Sequence, residues 1–390
     1  MQSLDLPEPT DAEKRHSQQL VELIKQHIEK AGGWLSFDQY MQLALYAPGY
    51  GYYSAGLQKF GEQGDFITAP EVGSLFARTL ARPVSKLLAE ISGANVIEFG
   101  AGSGKLAADL LQELQSLKQL PEKYLIIELS AELQQRQRET LQQQVPDLMH
   151  CVEWLNCLPE IPVNAIVLAN EVLDAMPVKR FKIEDNKLSE LGVEIDTDEL
   201  KLSYRDAAVN LNQYVAELHI NHQDSDEYCS EVNLNIKPWI KSISECINQG
   251  AVYLIDYGYS RSEYYSAERN MGTFIGYYHH RSMDAPLWYP GLQDLTAFID
   301  FTAVAEAAVE NAFDVDGFTS QGNFLINCGL ADIVEEISCE NKIQHLKTVQ
   351  QMKTLSLPGE MGERFKVLGL SKGLNDNVPG FEMRDLRYSL

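Results

Sequence analysis

The chain lacks any apolar run approaching the roughly 20 residues that a membrane-spanning helix needs, so no transmembrane segment is expected. Its six cysteines (151, 157, 229, 246, 328 and 339) include no C-x-x-C pair and no histidine at metal-ligand spacing. That excludes a zinc ribbon and a disulfide framework, and it predicts reduced thiols and no bound metal. Basic charge is scarce: 32 Lys and Arg stand against 56 Asp and Glu, a net charge of −24. Such a surface repels phosphate backbones and anionic lipid, which argues against nucleic acid and membrane as partners, whereas a cationic ligand or a basic peptide is drawn in. The opening MQSLDLPEPTDAEKR has neither the basic and apolar regions of a secretion signal nor the Arg-rich character of a transit peptide, so a cytoplasmic protein is expected. Internal repeats and low-complexity segments are missing too. What remains is 390 residues, 45% hydrophobic and 23% charged, enough for one large domain with insertions or for two.

The stretch around which the chain is organised is NVIEFGAGSGK, residues 95–105. An apolar β-branched pair runs into Glu98, then into Gly100, Gly102 and Gly104, and the helix-forming LAADLLQELQ follows. Strand, tight turn and helix in that order make a ligand cradle, because glycine permits φ > 0 and the helix start offers unpaired N–H groups to ligand oxygens. The spacing excludes two relatives. A dinucleotide fingerprint needs glycine three residues beyond Gly102, where the chain has Lys105, which disfavours a nucleotide-binding dehydrogenase. A phosphate-binding P-loop needs glycine at Phe99 and a hydroxyl at Leu106. The remaining pattern, E-x-G-x-G-x-G, resembles that of the class I S-adenosylmethionine (SAM) methyltransferases, in which the acid and the glycines hold the amino acid end of SAM. An ordinary glycine-rich turn is the bland alternative.

Downstream, YLIIEL ends a short strand in Glu128, the position from which an acid reaches both ribose hydroxyls in doubly wound folds. Trp154, on a short third strand, either stacks near the adenine or fills the core. NAIVLANEVLDAMP gives a central strand ending in Asn170 and Glu171, with Asp174 three residues later at the edge where open α/β sheets bind ligands. Asp174 reads equally well as a helix cap. Residues 178–235, VKRFKIEDN onward, alternate as a β-meander that includes QYVAELHI, read as a substrate arm or a structural flap. AVYLIDYGY is the fifth strand, and the Tyr-, His- and Gly-rich 261–292 reads as a loop over the site, with His279 and His280 as base or substrate contact.

YAPGYGYYS, FG-x-x-GDFITAPEV, G-T-F-x-G-Y-x-x-H, P-G-x-x-DLT, QG-x-FL and MGERFKV occur in this order, and with the cradle they resemble the MidA-type methyltransferases from about residue 16 to the end. That family includes a mitochondrial complex I assembly methyltransferase that modifies arginine. The resemblance implies an α/β fold, a class I SAM-dependent methyltransferase (Rossmann-like) sheet with a helical N-terminal region and a β-rich insertion. It divides the chain into 1–90 (helices and a SAM-covering loop), 91–177 with 236–390 (the methyltransferase core), and 178–235 (the insertion). It implies SAM as cofactor, held by Glu98, Gly100, Gly102 and Gly104 at the methionine end, Glu128 at the ribose and Asn170 at the pocket floor, with Thr68 and Trp154 near it. Glu171, Asp174, Asp65 and His280 then line the substrate side, where carboxylates would bind a guanidinium bidentately. An Asp65 near the sulfonium would favour SAM over its neutral product. The implied partner is a protein with an accessible arginine, a respiratory complex I subunit or bacterial equivalent. Two alternatives stand: a small-molecule O- or N-methyltransferase, and a SAM-binding assembly factor without turnover. Ala101, Ser103 and Ile275 depart from the family's usual Pro, basic residue and Arg.

Overall fold

A parallel sheet forms where the sequence carries short apolar runs that are buried on both faces. The computed structural model describes residues 6–54, 68–220, 226–338 and 342–390. They form two units. One comprises Ile67–Leu173, Ile236–Ser260 and Ile299–Leu390; the other comprises Met1–Phe66, Asp174–Asn235 and Arg261–Phe298. These limits cut across the segments drawn from the sequence. The helix Leu75–Glu90 belongs with the methyltransferase sheet, while residues 178–235 and 261–292 share a unit with the N-terminal helices.

In the sheet unit the strands run in the order Asp314–Ser320, Phe365–Lys372, Ile247–Tyr259, Val163–Asn170, Asn95–Phe99, Tyr124–Ile127, Val152–Leu155. Ile299–Asp300 adds a short eighth strand parallel to the end of Ile247–Tyr259. The five strands from Ile247–Tyr259 to Val152–Leu155 are mutually parallel, and Phe365–Lys372 is antiparallel to both its neighbours. Chain order reverses between Asn95–Phe99 and Val163–Asn170. A crevice opens at such a switch point above the carboxyl ends of the strands, because the two following connections leave on opposite faces. Leu75–Glu90 and Lys105–Ser116 bury Leu80, Val84, Leu110 and Leu114 in the core of this unit.

The other unit has a five-stranded antiparallel sheet, with Lys187–Asp196 between Glu199–Asp206 on one side and Lys179–Glu184 and Leu35–Ser36 on the other, and Glu227–Val232 beyond Lys179–Glu184. The helix Asp11–Lys30 starts with a capping box between Thr10 and Glu13 and buries Leu20, Ile24 and Ile28 at four-residue intervals. Phe37–Tyr46 packs in the same core.

Three readings of this region change. The segment containing QYVAELHI is the helix Val209–Glu217, because Leu211 and Val215 at four-residue spacing supply one buried face. No helix follows Asp174, so it caps none: turns lead directly to Lys179–Glu184. Residues 261–292 are not a structureless loop; Ile275–Tyr278 pairs with Arg281–Met283 and with Asp294–Thr296. Aromatic and glycine content suggested irregularity, but Tyr278 and Met283 alternate into a small apolar cluster as strand residues do.

Lys179 secures the meander by donating to Glu190 Oε1 at 2.7 Å and to Asp38 Oδ1 at 3.1 Å. Glu190 is buried, so Lys179→Met strands a carboxylate. We expect a loss of about 3 kcal/mol or more, read from urea unfolding at pH 7, with recovery when Glu190→Gln is added.

Candidate active site

The cradle takes the geometry that its glycines permit. Gly100, Gly102 and Gly104 have φ of 61°, 52° and 83°, a left-handed path that L-residues with a Cβ resist. Gly104 also caps the helix Lys105–Ser116, and a Cβ there would stand 3.0 Å from the Cα of Gln137. The Lys105 ammonium does not reach into the turn. It pairs with Asp109 Oδ2 at 2.5 Å, one helical turn on.

Two buried acids flank the turn. Glu98 lies within strand Asn95–Phe99, only 3% exposed, and Tyr124 Oη donates to its Oε2 at 2.7 Å. Burial pushes its pKa up to about 7; the Tyr124 bond opposes the rise and the charge of Glu128 adds to it. Glu128, also buried, follows the neighbouring strand. Its Oε1 accepts from Ser130 N at 2.9 Å and its Oε2 from Gln137 Nε2 at 3.0 Å. Gln137 also donates to Gly102 O at 3.2 Å and accepts from Trp154 Nε1 at 2.9 Å. Trp154 is thus occupied at its N–H, and the Arg138 guanidinium lies 3.8 Å from its ring centroid. Thr68 precedes the short helix Ala69–Val72, whose Glu71 accepts from the Ser103 hydroxyl inside the glycine turn.

Asn170 closes the central strand. Its Nδ2 donates to Glu171 Oε1 at 3.2 Å, while its buried Oδ1 has no hydrogen-bond partner among the described residues. Glu171 has φ of 54°, strained for a residue with a Cβ by about 1–3 kcal/mol, and its N–H donates to Ile255 O at 2.9 Å. The buried Asp256 fixes the same edge: Oδ2 accepts from Leu173 N at 2.9 Å and Oδ1 from Tyr257 N at 2.8 Å. A methyl of Val172 lies 3.6 Å from where a Cβ of Gly100 would stand, so this loop and the glycine turn are in van der Waals reach.

Within the sheet unit, therefore, Glu98, the three glycines, Glu128, Trp154, Asn170 and Glu171 line one carboxyl edge. Asp174 and His280 belong to the other unit. Asp174 is buried and accepts from Ala297 N through its main-chain oxygen at 3.1 Å. Near it in that unit, Tyr53 Oη donates to Asp294 Oδ1 at 2.9 Å, and its pKa is driven well up by burial and then by the charges of Asp294, Tyr46 and Asp174. His279 and His280 form the exposed turn between Ile275–Tyr278 and Arg281–Met283, with φ of 46° and 61°. Asp65 lies outside the described residues. Among those residues, no group of three His, Cys, Asp or Glu side chains converges as a metal site needs.

Gln137, Tyr53 and Asp294 were not singled out from the sequence, and Tyr124 and Asp256 read only as strand ends. Tyr53 and Asp294 lie in the YAPGYGYYS and P-G-x-x-DLT segments.

A SAM molecule suits these residues: positive-φ glycines put no Cβ between the main chain of the turn and its methionine end, the acids suit its ammonium and its ribose hydroxyls, and the Asn170 oxygen, unpartnered among the described residues, needs a donor. The strand order, the switch point and this donor set together define a class I SAM-dependent methyltransferase. The chain belongs to the S-adenosyl-L-methionine-dependent methyltransferase family whose model matches residues 75–319. It is similar to a Burkholderia thailandensis protein solved with S-adenosyl-homocysteine bound, at 39% identity over 99% of this chain and 100% of that one, with a TM-score of 0.94. It is 29% identical over 365 residues to the mitochondrial protein arginine methyltransferase NDUFAF7 of Danio rerio, covering 86% of this chain and 83% of the relative. Against the Homo sapiens protein of that name it is 27% identical over 371 residues, 87% of this chain and 81% of the relative.

The raised pKa of Glu98 makes stability depend on pH. Between the ordinary 4.5 and about 7 the folded protein holds a proton that the unfolded chain has released, so stability is favoured below 4.5 and lost as pH rises through 7. Glu98→Gln keeps an acceptor for Tyr124 but cannot ionise. Urea unfolding should show the variant gaining on the parent by on the order of 3 kcal/mol between pH 4.5 and pH 8. A pH-independent difference would mean that Glu98 does not carry this proton.

Proposed function

We propose that the protein transfers the methyl group of SAM to an arginine side chain of a protein partner, and that the partner is a respiratory complex I subunit or its bacterial equivalent. The observation that carries this reading is Glu171, a strained, half-buried carboxylate fixed at the switch point beside Asn170 and Val172. Strain of this kind persists only where surrounding structure enforces it, and Asp256 supplies the enforcement. The names of the NDUFAF7 relatives support arginine as the acceptor.

SAM, when bound, supplies an electrophilic methyl on a sulfonium leaving group. The protein's own residues do the rest. Glu98 and the glycine turn hold the methionine end, Glu128 accepts from the ribose hydroxyls, and Asn170 donates or accepts at the floor. Glu171 takes the guanidinium through two parallel N–H···O bonds, drawing positive charge toward the bound nitrogens and leaving lone-pair density on the third. As the third nitrogen forms its bond to carbon, the carbon–sulfur bond breaks and the guanidinium gives up one proton, for which a carboxylate is the acceptor. Asp174, Asp65 and His280 are substrate-side candidates, and Thr68 and Trp154 cofactor-side ones, on the family resemblance alone. The reading includes a cytoplasmic location.

The purified protein and labelled SAM added to a lysate of cells lacking it, followed by mass spectrometry of the labelled product, test the acceptor. We expect methylarginine in one partner. Glu171→Gln should bind S-adenosylhomocysteine within about twofold of the parent yet transfer methyl at least about a hundredfold more slowly. Label on a small molecule would establish the small-molecule alternative, and saturable binding without transfer to any component would leave the non-catalytic assembly factor.

A further inference from the structure

The helix Ala131–Gln144, AELQQRQRETLQQQ, is polar over almost its whole surface and buries only Gln137 and Leu141. Leucine needs no explanation. A glutamine with 0% exposure does, since burying an amide costs free energy unless its donors and acceptors are used. Here they are used, and the partners fix which end of the amide is which. Gly102 O and the Glu128 carboxylate can only accept, and the Trp154 indole can only donate, so Nε2 faces the first two and Oε1 the third. The main chain of Gln137 also backs the turn, at 3.0 Å from a Cβ placed on Gly104.

One side chain thereby ties together the glycine turn, the acid after the second strand and the indole of the third. An amide is suited to this post. It orients the carboxylate through a hydrogen bond without bringing a positive charge that would neutralise it, as Arg or Lys would.

We propose that Gln137 is the positioning residue of the cofactor site, setting affinity for the adenosyl half of SAM by holding Glu128 Oε2 and Gly102 O in fixed relation. The proposal rests on the reading of Glu128 as the ribose acceptor. Gln137 itself acts through Glu128 and the turn.

The test uses S-adenosylhomocysteine binding to the full chain by calorimetry. Gln137→Met preserves length and volume and removes all three bonds; it should weaken binding about tenfold to a hundredfold. Glu128→Gln should also weaken binding, and the double variant should fall short of the product of the two single effects by at least about fivefold, since both act on one interaction. In the ligand-free protein, the indole N–H resonance of Trp154 should shift in Gln137→Met, a readout that does not depend on catalysis. Binding by Gln137→Met within about twofold of the parent while Glu128→Gln is weak, or strict additivity of the two, overturns the positioning role. Unchanged binding by Glu128→Gln overturns the ribose assignment and this proposal with it. If Gln137→Met does not fold, Trp154→Phe, which withdraws the donor to Oε1, decides. About threefold weaker binding, non-additive with Glu128→Gln, supports the proposal, and parental binding overturns it.

Discussion

Two carboxylates on adjacent parallel strands, both withdrawn from water, set the terms for the rest of the sheet unit. Glu98 and Glu128 stand at the carboxyl ends of Asn95–Phe99 and Tyr124–Ile127, and like charges in a medium of low dielectric repel strongly. The protein treats them unequally. Glu98 is given one phenolic donor and a pKa of about 7, so near neutrality it shares its proton with solvent. Glu128 receives a donor on each oxygen, from Ser130 N–H and the Gln137 amide. Those donors are available only because the next helix begins immediately after the strand and turns Gln137 inward. The glycine turn is the third party, since Gln137 holds its carbonyl as well. Cradle geometry and the state of the acids are therefore one problem with one solution.

The second strained element follows from the same topology. Strands Val163–Asn170 and Ile247–Tyr259 are parallel neighbours, so the ends of both reach the crevice together. Asp256 uses each of its oxygens on a backbone N–H, one in the loop after Asn170 and one in its own strand's continuation. That pins 171–173 so closely that Glu171 adopts a positive φ. A loop of free conformation would relax this residue. The buried carboxylate keeps it where the sheet order brings the cofactor turn and the central strand side by side.

Much of this was legible in the sequence because it is local. Strand, glycine turn and helix are contiguous, and the excluded motifs differ from the observed one by residues at fixed spacing; Glu128 and Asn170 with Glu171 end apolar runs whose length alone marks central strands. The positioning residues are not local. Gln137 sits among five other glutamines on a helix that reads as solvated, and only the folded chain separates the buried one from the rest. Asp256 reads as an acid ending a strand, which is common, and the bond from Leu173 N–H to its Oδ2 comes from a loop more than 80 residues earlier. Val209–Glu217 was hidden because a nine-residue segment with two buried positions offers little periodicity against a flanking meander. The grouping of the N-terminal helices with 174–235 and 261–298 depends on packing between segments far apart in the chain, for which periodicity holds no signal.

Charge acts at two ranges in this protein, with different effects. The excess of 24 negative charges is a field over the surface, screened within about 10 Å at ordinary ionic strength, and it raises the encounter rate of any cation without choosing among them. Choice requires groups whose positions are fixed and whose surroundings exclude water. Under the proposed reaction both reactants arrive as cations, and the cofactor leaves as a neutral thioether. A surface field alone would hold the protein partner before and after transfer with nearly equal strength. The acids of the crevice differ, because each is buried and held by named donors, and charge acts more strongly where water is excluded. Surface acidity acts on any cation alike; acids fixed by hydrogen bonds beside the turn offer charge at defined positions.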